Sequence, residues 1–293
     1  MKTKAEEYFI DLQNSITSSL ERIDGLGVFR EDRWERPGGG GGRTRIMNEG
    51  SIFEKAGVNY SAVYGSSPEM LQTEGDRETT FFASGISLVL HPRSPTIPTI
   101  HANFRYFEKS NGHAWFGGGI DLTPYYLDED DVRFFHTVLK QACEKHNTLY
   151  YTKFKNWCDE YFYIKHRDET RGVGGLFFDH LGGNENELEG YFSFVQEVGN
   201  SFLNSYLPIV SKHKDESYSD IQRNWQLLRR GRYVEFNLIY DRGTLFGLQT
   251  SGRTESILMS LPPNARWEYD YQPKEGTAEA ALIEILRNPK EWV

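Results

Sequence analysis

The stretch TIHANFRYFE, Thr99 to Glu108, decides how the chain reads. Apolar and polar residues alternate in it with the period of a β-strand: Ile100, Ala102, Phe104 and Tyr106 fall on one face, and His101, Asn103 and Arg105 on the other. One side of an antiparallel sheet commonly meets only water. Solvated strand faces favour Thr, Lys and Glu, however. This one sets a proton carrier, an amide and a planar anion clamp in series, which points to a site.

The neighbouring segments extend the sheet. FFASGISLVLHP, from Phe81, reads as a strand before it, and AWFGGGIDLTPYY, Ala114 to Tyr126, supplies another after it. Three consecutive glycines weaken a strand and mark either a bulge or a close approach of backbone to something large and flat. Gly117 and Gly119 share parity with Asp121 and Trp115, so one face would be bare backbone with a carboxylate at one end and an aromatic edge at the other.

Around these strands the spacing predicts helices over residues 1–24 (Tyr8, Ile10, Leu12, Ile16, Leu20), from Asp128 (Val132, Phe135, Leu139, Ala142), over 149–163, over 188–209 and over 221–230. RYVEFNLIYDRGTLFGLQT, Arg232 to Thr250, reads as a hairpin turning at Asp241, Arg242 and Gly243. RWERPGGGGGRTR, Arg33 to Arg45, reads as a loop, with Gly38 to Gly42 as a mobile flap, followed by short strand pieces between residues 50 and 64. From Glu255 on, a helix, a Pro-rich turn and a final helix are expected. With no internal repeat or linker, the expectation is a single α+β domain over residues 1–293, a large antiparallel sheet flanked by helices.

Bulk composition excludes several classes. The 293 residues are 38% hydrophobic and 14% aromatic, enough for a substantial core, and a net charge of −9 argues against nucleic acid or an anionic membrane as partner. No apolar run reaches the ~18 residues that span a bilayer. MKTKAEEYFIDLQNSI resembles neither a signal nor a transit peptide, so a cytoplasmic protein is expected. Cys143 and Cys158 form no CxxC pair and read as buried hydrophobes. No flavin or nicotinamide motif is recognisable, and the glycine run lacks the Lys-Ser or Lys-Thr of a phosphate loop.

Arg105, Arg242 and Arg253 place guanidinium groups at strand ends and turns, as a multiply carboxylated ligand would require. His91, His101, His136 and His166 leave a metal site open. His166 and Asp168 form the His-x-Asp half of a non-haem iron triad, although KHRDETR also reads as a solvated charged turn.

WFGGGIDLTPYY, PTIHANFRYFE, RGVGGLFFDHL, GRYVEFNLIYDRGT and GRTESILMSLPP, taken together, strongly resemble the oxygen-dependent coproporphyrinogen III oxidases from about Trp34 to Trp292. The resemblance implies oxidative decarboxylation of the ring A and B propionates of coproporphyrinogen III to vinyl groups in haem biosynthesis, with dioxygen as co-substrate and no organic cofactor. It also implies a homodimer, each subunit carrying a flat antiparallel sheet covered by helices with a cleft on the sheet. By the same resemblance Ser87, Asn103, Phe104, Arg105, Gly252 and Arg253 fall in substrate-binding blocks. His101 matches the proton donor, Asp121, Asp241 and Arg242 match residues of proposed mechanisms, and His91, His101, His136 and His166 match positions given as ligands of a divalent metal. Ser251 departs from the family's second glycine. The block from Tyr233 to Glu268 would serve either a dimer interface or the subunit's own core. Two other classes stay open on the residues: a metal-dependent oxygenase using His101, His136, His166 and a carboxylate, and a non-catalytic tetrapyrrole carrier.

Overall fold

A computed structural model describes residues 1–66, 80–249 and 252–293; the departure at Ser251 lies outside the described residues. In chain order the elements are α1 (Lys2–Asp24), β1 (Arg30–Glu35), β2 (Gly40–Asn48), β3 (Phe53–Ser66), β4 (Thr80–Pro92), β5 (Thr99–Lys109), β6 (Ala114–Thr123), α2 (Glu129–Glu144), α3 (Tyr150–Tyr161), β7 (Tyr163–Ile164), β8 (Glu169–Thr170), β9 (Gly175–Gly182), α4 (Glu185–His213), α5 (Asp220–Ile239), α6 (Arg242–Gln249), α7 (Thr254–Leu258) and α8 (Ala278–Arg287). Strands β1 to β6 form an antiparallel meander in sequence order, and β9 returns after α2 and α3 to complete a seven-stranded sheet beside β6. The class is α+β.

The alternation in β5 sorts its two faces as the sequence predicts. Ile100, Ala102, Phe104 and Tyr106 are buried in the main core, packed with Phe9, Leu12 and Ile16 of α1 and with Val195, Val198 and Phe202 of α4. On α1 the buried stripe runs through Ala5, Phe9, Leu12, Ile16 and Leu20, with Phe9 inside where Tyr8 and Ile10 are expected; those two are only part-buried. Local chemistry fixes the helix starts. The Asp128 side chain accepts from the Asp130 and Asp131 amides, and Asn184 with Glu187 and Ser219 with Gln222 form reciprocal capping boxes. Gly25, in the left-handed region at φ 76°, ends α1.

Two expectations fail. The Gly38 to Gly42 stretch is instead the turn of a β1–β2 hairpin and the start of its second strand, with Trp34 opposite Gly42 and Glu35 opposite Gly41. The glycines are there for close approach: a Cβ on Gly42 would lie 2.3 Å from the Trp34 ring, and one on Gly40 would lie 2.2 Å from the Ala62 carbonyl. Of the hairpin expected at Arg232 to Thr250, the stretch to Gln249 is helical around a break at Tyr240 and Asp241, because α5 runs on to Ile239 and α6 follows it; Thr250 lies outside the described residues. Residues Trp225, Leu228, Arg229, Tyr233, Phe236 and Asn237 are buried at helical spacing. Two of them are polar, so the hydrophobic pattern shows only the misleading alternation of Val234, Phe236, Leu238 and Tyr240.

Candidate active site

Cross-strand register makes the second face of the sheet a polar floor. Asp32, Thr44, Asn59, Ser87, Asn103, Gly119 and Phe177 form one row across all seven strands, and Val89, His101, Asp121 and Gly175 lie in the next. A third row holds Trp34, Gly42, Ser61, Gly85, Arg105 and Gly117. Gly42, Gly85, Gly117 and Gly119 carry no side chain of their own on this face, and neighbouring groups fold over them: the Trp34 ring over Gly42, and Arg105 with Asp179 over Gly117. Phe81, Phe107 and Trp115 close one end as a stack, with ring centroids 5.5 and 4.5 Å apart. At Gly117 the pairing slips: Phe116 faces Leu181 and Gly118 faces Phe178. Asp179 and His180 therefore share one partner, a bulge with His180 at φ 52°, and Asp179 turns onto the floor.

A continuous chain of hydrogen bonds crosses this floor. Arg105 Nη2 pairs with Asp179 at 2.7 Å, and Arg105 Nη1 donates to Asn103 Oδ1 at 3.2 Å. The Asn103 amide nitrogen lies 3.4 Å from His101 Nε2, and His101 Nδ1 lies 2.7 Å from Asp121 Oδ1. Asn103's carbonyl faces Arg105, so its NH2 faces the imidazole; this fixes the tautomer that donates from Nδ1 to Asp121 and leaves an acceptor at Nε2. Asp121 is 1% exposed, and Arg171 Nη2 donates to both its oxygens at 2.8 Å. Burial pushes the Asp121 carboxyl up, but the Arg171 charge and the bonds from His101 and Arg171 outweigh it and hold the group below the usual carboxylate range.

Arg171 is the residue the sequence reading misses. It is 2% exposed, donates to Asn237 Oδ1 at 2.7 Å, and has its guanidinium carbon 4.1, 4.5 and 4.9 Å from the ring centroids of Phe162, Tyr233 and Phe236. Asn237, Tyr161 and Asp179 are missed as well. The only advance signal for Arg171 is an arginine placed immediately before the Gly-Val-Gly-Gly run; its partners come from β6, α5 and the end of α3.

Helices α5 to α7 and the segment after them cover part of the floor. Ser256 lies 2.7 Å from Thr44, and Lys55 and His91 meet the carbonyls of Leu261 and Ser260. Between α6, α7 and the β1–β4 end lies a cavity of about 170 Å³, lined among others by Trp34, Asn59, Ser61, Phe246, Gly252 and Arg253. Asp241 accepts from Tyr161 at 2.9 Å and caps α6 through the Thr244 amide at 2.8 Å. Arg242 lies over the Tyr161 and Phe177 rings, with centroids 4.9 and 5.6 Å away, above the β9 edge of the floor. Ser87 neighbours Asn103 on the floor; the Phe104 side chain points away, into the core.

The four histidines are not brought together. His91 is buried against Thr99 and the Ser260 carbonyl, and burial with the Arg230 charge keeps it neutral. His136 lies between Tyr151 and the Val173 carbonyl, pushed by burial down to about 3. His166 lies between Tyr240 and Glu235, and His101 belongs to the floor chain. These residues do not fit one shared metal. Among the described residues the grouping that could hold an ion is Asp128, Asp131 and His213, where the Lys212 ammonium already reaches both carboxylates.

A part-buried His–Asp pair on a sheet floor, with Arg105, Arg171, Arg242 and Arg253 placed around it, is an enzyme-like arrangement. The chain belongs to the coproporphyrinogen III oxidase family, whose pattern matches residues 4–292. It is 50% identical over 309 residues to the oxygen-dependent coproporphyrinogen-III oxidase, chloroplastic, of Glycine max, covering 100% of this chain and 80% of that protein. The Drosophila melanogaster oxygen-dependent coproporphyrinogen-III oxidase is 51% identical over 308 residues, covering 100% and 78%. The Prochlorococcus marinus protein of the same name is 49% identical over 317 residues, covering 99% and 92%.

Proposed function

We propose that this protein is an oxygen-dependent coproporphyrinogen III oxidase, converting two propionates of its substrate to vinyl groups. For each propionate the balance is R–CH2–CH2–COOH + O2 → R–CH=CH2 + CO2 + H2O2, so the electron-rich tetrapyrrole itself supplies the two electrons. The observation that carries the reading is the Arg105–Asn103–His101–Asp121–Arg171 hydrogen-bond chain across the floor, in a chain of this family. Arg105, Arg242 and Arg253 hold propionates. Ser87 and Gly252 shape the floor and roof around them. His101, 14% exposed, exchanges a proton at Nε2, while Asp121 stabilises its imidazolium from behind. Asp121 touches no ligand directly in this arrangement, because both its oxygens are engaged. Asp241 sets the start of α6 and thereby Arg242.

Anaerobically prepared coproporphyrinogen III, exposed to oxygen with metal-depleted enzyme, is expected to yield two molecules of CO2 per macrocycle without added metal. Activity only after metal is restored favours a metal-dependent oxygenase; none under either condition favours a carrier. His101→Ala is expected to lower kcat by ~10²–10⁴ while substrate still binds. Full turnover in that variant refutes the assignment. The homodimer belongs to the same proposal: Leu238 and Ile239 at the end of α5 and Leu248 in α6 are 42, 51 and 40% exposed, available for a partner copy. Sedimentation at the mass of one chain would exclude it. No described helix is long and apolar enough to cross a membrane.

A further inference from the structure

The arginines of the floor are held in two different ways. Arg171 and Asp121 are 2 and 1% exposed and fully engaged with each other, a permanent pair. Arg253, which enters the cavity from the start of α7, is tied through Nη2 to Asp32 on β1 across 221 residues of chain, and the two side chains are 32 and 36% exposed. Its Nε–H is buried and finds no acceptor among the described residues. Asp32 lies in the same cross-strand row as Thr44, Asn59 and Ser87, so its carboxylate stands at the β1 edge of the floor.

A guanidinium binds a carboxylate best through two parallel N–H groups, and here one of the pair is unused. Part-exposed ion pairs are worth little in water, and their attraction falls further with salt. A substrate carboxylate entering the cavity can therefore take Nε–H and Nη2–H together, where Asp32 takes only Nη2–H. We propose that Asp32 is an internal stand-in for a substrate carboxylate. It holds Arg253 at the cavity and gives it up when a propionate arrives, so it sets how tightly a polycarboxylate binds. The proposal rests on the functional reading above only in that the ligand is a planar polycarboxylate.

The test is equilibrium binding of coproporphyrin III, followed by porphyrin fluorescence, to wild type, Asp32→Asn and Asp32→Glu. If Asp32 competes with the ligand, Asp32→Asn tightens binding by about two- to five-fold at low salt. The advantage fades toward ~1 M ionic strength, where the Debye length is ~3 Å. Asp32→Glu, which keeps the charge, stays within about a factor of two of wild type. A positioning role for Asp32 gives the opposite sign, since a released Arg253 would then bind more weakly; unchanged or weaker binding by Asp32→Asn overturns the proposal. Wild-type turnover of coproporphyrinogen III is measured separately. Its absence refutes the oxidase reading, while the binding ratio still decides the role of Asp32.

Discussion

Arg171→Met tests the energetics of the floor most directly. It removes the guanidinium that answers Asp121 and keeps a side chain long enough to lie among Phe162, Tyr233 and Phe236. Asp121, 1% exposed, is left with His101 alone. Breaking one side of a buried ion pair costs about 3–5 kcal/mol. At ~2.1 cal/mol/K per residue over 293 residues, the fall in Tm is about 5–8 °C. The sign of the pH dependence also changes. In the wild type the Asp121 pKa is depressed, so its contribution is present above the unfolded value and is lost as pH falls through the folded one. Without Arg171 burial dominates and raises that pKa, so the deficit of the variant is largest near neutrality and shrinks as pH falls toward the carboxylate range. Urea unfolding of both single variants and of Asp121→Asn/Arg171→Met supplies the double-mutant cycle. Removing both charges should recover about 2–3 kcal/mol relative to the sum of the single losses. A coupling below about 0.5 kcal/mol, or a deficit that grows on acidification, would refute the reasoning.

Three shorter predictions accompany it. In Gly117→Ala the new Cβ would lie 2.6 Å from Asp179 Oδ1 and 2.8 Å from Arg105 Nη2, so it prises that ion pair apart; steady-state kinetics should show a raised KM with a smaller change in kcat. Asn184→Ala removes the α4 capping box and should cost about 1 kcal/mol in urea unfolding, with unchanged activity. Glu235 is pushed up by burial, yet Arg167, His166, Trp267 and Arg232 bring it down to about 2. Its stabilisation is therefore complete above the ordinary glutamate range and lost as pH falls toward about 2, and Glu235→Gln should flatten that acid limb.

The strands from Thr80 to Thr123 are legible because their two faces have opposite tasks, core and site, and so write a period of two into the sequence. The floor is legible for the same reason: His101, Asn103 and Arg105 are polar where the pattern allows polarity but not where solvent would choose it. The first half of α5 is legible as the helix expected over 221–230, but its continuation is not: beyond Arg230, Val234, Phe236, Leu238 and Tyr240 alternate as a strand would, and the buried Asn237 is engaged by Arg171. Hydropathy counts such an asparagine as exposed. The β1–β2 glycines mislead similarly: glycine signals a loop, but against Trp34 and the Ala62 carbonyl it signals strands with no room for a side chain. Arg171 is hidden because a buried cation is recognisable only by what surrounds it, and its carboxylate lies 50 residues earlier and its amide partner 66 residues later.

That separation also orders assembly. Among themselves strands β1 to β6 pair with sequence neighbours, and only β6 has a later partner, β9, so a chain made from its N-terminus can form the whole meander before Arg171 exists. Until β9 and α5 return, the floor faces water and Asp121 stays hydrated, with no naked carboxylate sealed in a half-made interior. The Asp121 charge is thus buried in the same event that delivers its counter-ion, and enzymatic competence reports completion of the chain beyond the meander.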